Sequence, residues 1–580
     1  VIIYDQRCAA EARRLRKRGL LPQPPRRVVI NQAVCEGCGD CGTKSNCLSV
    51  LPQETEFGTK RRVHESSCNR DYTCLDGDCP SFVTITPKSG ERKGRKTGKA
   101  RPQLPVGTLP DPTPATVDGR YSIYFTGIGG TGIITANRIL VQAAEAAGWV
   151  VGGMDQTGLS QKAGSVVSHL HLAADRRGLT AAAVGSGGAD LYLSGDILQA
   201  ADPVHLAKAH AGQAIAVIDR TITPTAAMLQ SQSAPPEVGE LEAMIGAHIG
   251  AERTTIVDAR TVAERVFGDH LPANVMLLGA AFQRGALPVA MADITTALAG
   301  RAAQVNRAAF EWGRWLAHDP QAVDAALKGR RAAPTALGYE VSEGSAEAAK
   351  MLVEQSDMAD LPSDLRDLLI RRTGQVIDYQ SVALGRRYLD LVERTAGTDS
   401  AETNWALTRT VIGAWFALLT YKDEYEVARL HLAADYDAIA DELGIDGAYS
   451  LTYQLHPPIL RRLGIHRKLP AGRPYALGFR VLRRMKKLRG TAFDVFGWDR
   501  DRRTERAVIG EYRNLIEEIT APRARVPYEQ RVELAGSTSR IKGYAGIKES
   551  AVQQWREDIA EWRAGKSDAA VVSGSAEVRS

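Results

Sequence analysis

Tyr121-Ser-Ile-Tyr-Phe-Thr-Gly127-Ile-Gly129-Gly130-Thr-Gly132 is the stretch on which the fold of this chain turns. Tyr121 to Thr126 is a short β-rich run, the glycines break it, and a helix is expected to about Ala147. A second strand is expected at Trp149–Val151. Further strand-like runs stand at Val166–Leu172, Leu191–Ser194, Ala214–Ile218 and Thr254–Val257, with helical stretches between several of them. That alternation predicts an α/β layered domain over residues 120–325.

The glycine loop has two readings. Gly127-x-Gly129-Gly130-x-Gly132 between a strand and a helix can turn backbone N–H groups and a helix N-terminus toward a phosphate. The same glycines can simply let helix and strand pack closely. Dinucleotide folds also want an acidic residue at the end of the second strand, about 20 positions on. The nearest candidate, Asp155, falls in Met154–Lys162, which reads as a long polar loop.

Upstream, residues 87–119 form a basic linker rich in Pro and Gly, too poor in apolar residues to fold alone and expected to be flexible or draped over a neighbour. Before it, residues 28–86 hold Cys35, Cys38, Cys41, Cys47, Cys68, Cys74 and Cys79, seven of the eight cysteines. Clustering of this kind argues for metal rather than disulfides. Cys35-x-x-Cys38-x-x-Cys41 can present three sulfurs to three corners of a cubane, and Gly37, Gly39 and Gly42 let the backbone turn tightly around it. Zinc prefers paired Cys-x-x-Cys knuckles, so an iron–sulfur cluster is the better fit. Cys79-Pro80 is the only Cys-Pro, which favours Cys79 as fourth ligand. A first set using Cys47 stays open, as does a second cluster built on Cys47, Cys68 and Cys74 with an unusual ligand. His64 reads as a surface residue.

Downstream of about Ser345 strand signals nearly vanish, and helical patterns dominate residues 340–565: Leu365–Arg371, Asn404–Leu419, Leu477–Leu488 and Ala507–Ile519. In the third, Leu477, Val481, Leu482, Met485 and Leu488 mark the expected buried stripe. The tail 566–580 is Ala, Ser and Gly rich and expected to be disordered.

A chain of 580 residues suggests about three to four domains. Its 44% hydrophobic and 24% charged content is that of a globular protein. The net charge of +6 is concentrated in Arg13–Arg18, Lys88–Arg101 and Arg461–Arg489, without the aromatic–basic interleaving of a strand-binding groove, so no nucleic acid is expected. The most apolar stretch, Asn274–Gly300, is broken by Gln283, Arg284 and Asp293, and no signal peptide is visible, so a cytoplasmic location away from membranes is expected. The chain opens without Met inside a strand-like run, so residues 1–27 read as the end of a preceding domain and a connecting helix, Cys8–Arg18.

Three features together resemble one family. Tyr124-Phe-Thr-Gly-Ile-Gly-Gly-Thr-Gly132, followed by Met154-Asp-Gln-Thr-Gly-Leu-Ser-Gln-Lys-Ala-Gly164, is similar to the gamma domain of 2-oxoacid:ferredoxin oxidoreductases. Cys35 to Cys79-Pro80 resembles the cluster segment of the indolepyruvate-using members, and Val1–Cys8 the end of their thiamine-diphosphate domain. The order is that of the large fused bacterial form, whose helical C-terminal domain the last part of the chain resembles. The implied architecture is multidomain: a small ferredoxin-like iron–sulfur segment, an α/β layered gamma-type domain and a mainly α-helical C-terminal domain. The implied activity is oxidative decarboxylation of a 2-oxoacid such as indolepyruvate. Electrons pass through a [4Fe–4S] cluster to ferredoxin, and the acyl group passes to coenzyme A. No Gly-Asp-Gly motif for thiamine diphosphate and magnesium is present in this chain, so those cofactors are expected on an N-terminal half. A homo-oligomer is also implied. Gln156, Thr157, Ser160, Gln161 and Lys162 are the polar group expected to line the active site. The competing readings are a NAD(P)-binding electron-transfer module, resting on the glycine loop, and a zinc-stabilised interaction protein.

Overall fold

The computed structural model describes residues 9–91, 102–158, 164–225, 228, 236–300, 302–327, 341–358, 361–445, 447–455, 469–472 and 474–565. The opening run 1–8, the tail 566–580 and the candidates Ser160, Gln161 and Lys162 lie outside them. The strands are β1 (Arg27–Ile30), β2 (Val50–Gln53), β3 (Lys60–Val63), β4 (Phe82–Glu91), β5 (Arg120–Ile128), β6 (Val150–Thr157), β7 (Ser165–Ala173), β8 (Leu191–Ser194), β9 (Ile215–Asp219), β10 (Thr254–Val257), β11 (Gly447–Leu455) and β12 (Leu469–Ala471). The chain divides into two compact units. One comprises Val1–Gln23, Glu65–Asn69 and Lys96–Ala332; the other comprises Pro24–His64, Arg70–Arg95 and Ala333–Ser580. Among the described residues no helix is long and apolar enough to cross a membrane.

The first unit is built on a six-stranded sheet of order β10-β9-β8-β5-β7-β6. β5, β8, β9 and β10 run parallel, and β7 lies antiparallel between β5 and β6. Every residue of β5 after Arg120 is buried, as expected of a strand covered on both faces. On one face Ile123 and Phe125 pack under the helix Ile133–Ala146, which turns Ile133, Ala136, Ile139, Leu140 and Ala143 inward at helical spacing. On the other, Tyr124 and Tyr192 pack under Ile197, Ala200, Leu241 and Ile245. The chain leaves β5 toward β6 over the first face and returns to β8 on the other side of β5. The carboxyl ends of β5 and β8 therefore flank a topological switch point, where open α/β sheets place ligands.

Met154–Thr157 is not the polar loop expected above. It is the second half of β6, held in register by β7 (Asp155 opposite Ser168, Thr157 opposite Val166), and backbone pairing overrides its polar composition. The linker does drape over its neighbour within 102–119. Leu109, Ala115 and Val117 pack on the core, Ala115 N donates to Leu287 O (3.1 Å), and Arg314 reaches the Asp111 carboxylate (2.9 Å).

Behind the sheet, the almost wholly buried helix Ala273–Gln283 crosses the helix Ala303–His318 at two glycines. A Cβ on Gly279 would lie 2.0 Å from Phe310 O, and one on Gly313 1.9 Å from Met276 O. Gly313→Ala must force the helices apart. Overpacking of this kind costs about 1–3 kcal/mol, to be read as a lower urea midpoint at unchanged slope. A midpoint equal to wild type would show that the crossing is looser than this.

The second unit joins parts of the chain read above as separate domains. β1 and β4 from the cysteine segment continue antiparallel onto β11 and then β12, far downstream, in the order β1-β4-β11-β12. The C-terminal region is mainly α-helical, as expected, but it also supplies the strands β11 and β12. The remaining helices, Ser363–Tyr379, Val382–Ala396, Ala406–Leu419, Arg500–Ile519, Tyr528–Gly536 and Gly546–Arg563, enclose a core centred on Tyr388, Trp415, Tyr512 and Leu515. The stripe expected on Leu477–Leu488 is also corrected. Leu477 and Val481 are 63% and 57% exposed, and the helix Pro474–Arg484 buries Phe479 instead, one residue round the helix.

Phe479 stacks on His431 (5.7 Å), which Tyr453 approaches edge-on (5.0 Å). Nε2–H of His431 donates to Pro80 O (3.0 Å), leaving Nδ1 to accept from Tyr436 OH (2.8 Å), so the ring is held neutral. Burial lowers it from 6.5 to about 4. A depressed imidazole stabilises the fold fully above pH 6.5 and loses that contribution as pH falls through 4. The expected loss is about 3 kcal/mol, measured as the fall in unfolding free energy from pH 7 to pH 4. A His431→Gln variant with the same acid slope as wild type would refute this assignment.

Candidate functional site

The cysteines are set by the end of β1. Asn31 Oδ1 accepts from Ala33 N (3.0 Å) and Val34 N (3.3 Å), closing an Asx turn that delivers Cys35, whose own N–H donates to Asn31 O (2.9 Å). Gly37 then adopts φ +75°, and a Cβ there would fall 2.2 Å from Thr59 O. Only glycine turns the chain back at this point, and its N–H donates to Cys35 Sγ (3.3 Å). Cys41 sits in the short helix Asp40–Ser45, and Cys79 arrives on the loop entering β4, with Sγ 3.0 Å from Ser81 Oγ.

These four thiols share one electrostatic environment. Burial pushes Cys38 up to about 12, with Cys79 and Cys35 adding to the rise. Burial pushes Cys41 higher still, helped by Cys79, Cys35 and Cys38. Cys38 and Cys41, so placed, ionise together only when a strong positive charge joins them, which is the chemistry of a thiolate-bound metal cluster. The donor set therefore fits a [4Fe–4S] centre. Cys47 and Cys74 pack in the same small apolar cluster as Cys35, Cys41 and Cys79, with Val28, Ile30, Val50 and Phe82. Cys68 lies in the segment Glu65–Asn69, which groups with the first unit. His64 is 5% exposed, not the surface residue expected, because the strand-like run Lys60–Val63 carries it inward and its N–H donates to Ser49 O (2.7 Å).

A charged cradle closes on the cysteine loop from the helical region. Lys422 Nζ donates to Cys35 O (3.1 Å) and pairs with Glu36 (2.7 Å), both side chains being mostly buried. Burial opposes ionisation of Glu36, but Lys422, Lys548 and Lys60 overcome it and hold the carboxyl at about 2. Burial and the nearby Lys422 lower Lys60 to about 8. Tyr544 OH donates to Val34 O, and a Cβ on Gly543 would stand 3.3 Å from Cys38 Cβ. None of these residues was visible as a site residue in the sequence. Lys422, Tyr544 and Lys548 lie hundreds of positions from the cysteines, and a lone lysine or tyrosine carries no spacing to read.

At the sheet switch point the glycine loop is filled by protein. Gly129 N donates to Gly164 O (2.8 Å), Thr131 N and Oγ1 both donate to Ile128 O, and Asn274 Nδ2 donates to Thr131 O (2.9 Å). A Cβ on Gly127 would press to 2.8 Å from Ile133 Cδ1. Gly130 and Gly132 take φ +84° and +102°. These contacts favour close packing over a phosphate cradle. Asp155, though exposed, is already engaged by Asn137 Nδ2 (3.0 Å) and Ser168 Oγ (2.5 Å). Of the polar candidates, Gln156 and Thr157 lie exposed at the end of β6. Across the sheet face, His205 bridges Tyr124 OH (2.7 Å) and Ser165 Oγ (3.0 Å), with burial lowering its affinity for protons.

Residues 122–315 match the family model described as pyruvate ferredoxin/flavodoxin oxidoreductase. Indolepyruvate oxidoreductase subunit IorB of Thermococcus kodakarensis is 29% identical over 197 residues, 33% of this chain and 94% of that protein. Over this domain the chain is similar to the 2-oxoacid:ferredoxin oxidoreductase family. The IorB of Archaeoglobus fulgidus is 28% identical over 181 residues, 31% of this chain and 84% of that protein. Among solved structures, the gamma subunit of a keto/oxoacid ferredoxin oxidoreductase from Geobacter sulfurreducens matches at 21% identity and TM-score 0.25, covering 35% of this chain and 98% of that one. The 2-oxoglutarate:ferredoxin oxidoreductase of Magnetococcus marinus matches at 16% identity and TM-score 0.26, covering 35% of this chain and 32% of that one. Residues 365–561 match a family of unknown function (DUF6537). Cys35, Cys38, Cys41 and Cys79 thus share one unit with the region that matches the family of unknown function.

Proposed function

We propose that this chain is the electron-handling part of a 2-oxoacid:ferredoxin oxidoreductase acting on indolepyruvate. It would bind a [4Fe–4S] cluster through Cys35, Cys38, Cys41 and Cys79. The observation that carries the reading is that Cys35, Cys41 and Cys79 pack in one small apolar cluster, with Cys35 and Cys79 also raising Cys38, within a chain that also holds a segment matching an oxidoreductase model. The cluster, when bound, supplies one-electron storage. This chain's residues hold its four corners, place the Gly37 N–H against one sulfur and surround the loop with Lys422 and Lys60. Thiamine diphosphate, its magnesium and the decarboxylation chemistry fall to an N-terminal half, and the acyl group goes to coenzyme A. The nicotinamide alternative loses support because Asp155 is bonded to Asn137 and Ser168.

Anaerobic purification with iron, sulfide and zinc analysis tests the centre. About four irons and four sulfides per chain are expected for one such cluster; a colourless protein with stoichiometric zinc would sink the reading. Joined to a thiamine-binding half, the protein should reduce ferredoxin with indolepyruvate and coenzyme A. A cluster-loaded complete enzyme that fails to reduce ferredoxin with every 2-oxoacid tried would refute the activity.

A further inference from the structure

Three large apolar side chains stand in water within six residues of the helical region. Phe493, Val495 and Trp498 are 77%, 61% and 71% exposed. Their loop is locked from beneath. Asp494, 2% exposed, accepts from Gly490 N (2.9 Å), Gly497 N (3.2 Å) and Tyr425 OH (3.1 Å), and pairs with Arg506. Phe496 turns inward against Tyr425 (5.2 Å). A Cβ on Gly497 would lie 2.7 Å from Asp494 Oδ2 and from Arg506 Nη2, so a larger residue would press on that ion pair. Folding gains nothing by fixing three such side chains outward. Preorganised exposed aromatics are instead what a protein partner buries most profitably.

The surroundings select the partner's charge. The helix leading into the loop exposes Arg480, Arg483, Arg484 and Lys487 beside Leu477 and Val481. The acids nearby are spent on structure: Asp494 is buried, and Asp499 caps the next helix by accepting from Asp501 N (3.0 Å). An acidic surface with an apolar centre is the complement.

The same face is anchored to the cysteine loop. Lys422 donates to Cys35 O, its neighbour Asp423 pairs with Arg489 (2.6 and 2.8 Å), and Gly490 follows directly, bound to Asp494. One short run, Lys422–Tyr425, thus grips the cysteine loop through Lys422 and the exposed loop and the residue before it through Tyr425 and Asp423.

We infer that residues 490–498, with Arg480, Arg483 and Arg484, form the docking surface for a small acidic one-electron carrier protein of the ferredoxin type. This rests on the electron-handling role proposed above and assigns its exit to the region of unknown function.

The test uses the full cluster-loaded chain, anaerobically, with a [4Fe–4S] ferredoxin of net negative charge as probe. Wild type should bind it with an affinity that falls as salt rises. The Phe493→Ala/Trp498→Ala variant should weaken binding about 30-fold or more. The Arg483→Glu/Arg484→Glu variant should slow association and remove most of the salt dependence. Both should keep the visible absorbance of the cluster, and both, once reduced with dithionite, should reduce methyl viologen as fast as wild type. Ferredoxin binding unchanged in both variants would overturn the assignment. So would wild-type binding to phosphatidylglycerol vesicles but not to ferredoxin. A chain with no reducible cluster whose ferredoxin binding is still lost in the variants would fault the electron-handling role and keep the surface. One that reduces ferredoxin equally well in all variants would keep the role and discard the surface.

Discussion

Cys79→Ala should remove the proposed [4Fe–4S] absorbance of the anaerobically purified chain, while Cys47→Ala should retain it. Both thiols pack in the same small apolar cluster, so proximity to the segment's core does not separate them. Electrostatics does. Cys79 is the thiol that acts most on both Cys38 and Cys41. A cubane needs four sulfurs near its four corners at once. Losing the fourth should therefore abolish the cluster or convert it to a three-iron form, each distinguishable by electron paramagnetic resonance. The structural consequence is as large. The apolar residues around the cysteines are few, chiefly Val28, Ile30, Val50 and Phe82. Ligation must therefore supply much of the local folding energy, as in other small metal-held segments. Residues 31–49 of Cys79→Ala should become sensitive to limited proteolysis while the helical region stays intact. Full loss of absorbance in Cys47→Ala with retention in Cys79→Ala would transfer the fourth position to Cys47.

How far this could be read from sequence depended on whether the physics was local. β5 was legible because both of its faces are buried, which forces a continuous apolar run, and because Gly127–Gly132 must turn the chain into a helix. The Cys35-x-x-Cys38-x-x-Cys41 triple was legible because its geometry is contained in seven residues. β11 was not. Gly-Ala-Tyr-Ser-Leu-Thr-Tyr-Gln-Leu is a half-buried strand whose reason for being extended is β4, paired Leu451 to Ile85 across the sheet. The Leu477 stripe failed for a related reason: helical spacing gives a face, but the surrounding packing chooses which face is buried. Here Phe479 packs against both His431 and Tyr453, and Leu477 is left outside. Lys422 could not be found at all, since its role is created by Glu36 and Cys35 arriving from far upstream.

Arg489→Met should cost the second unit about 3–5 kcal/mol, the range for breaking a buried ion pair from one side. Arg489 and Asp423 are 4% and 2% exposed and form a two-pronged pair (2.6 and 2.8 Å). The guanidinium also donates to Tyr379 O (2.9 Å) and lies 3.7 Å from the centre of the Tyr379 ring. Methionine fills most of the volume but leaves the Asp423 carboxylate charged, buried and without its cation. The pair itself need not be a net stabiliser, because two desolvated charges cost nearly what they return. Adding Asp423→Asn to Arg489→Met should therefore recover much of the loss. Asparagine can still accept from Glu426 N, as Asp423 does at 2.9 Å, and so keeps the N-cap of the helix Glu424–Ala433. Urea unfolding of the two single variants and the double variant gives the coupling directly. Strictly additive losses would mean that the carboxylate is satisfied without Arg489. A recovered double variant would assign the cost to an orphaned charge. It would also show that the segment gripping both the cysteine loop and residues 490–498 is held by satisfaction of charge more than by its amount.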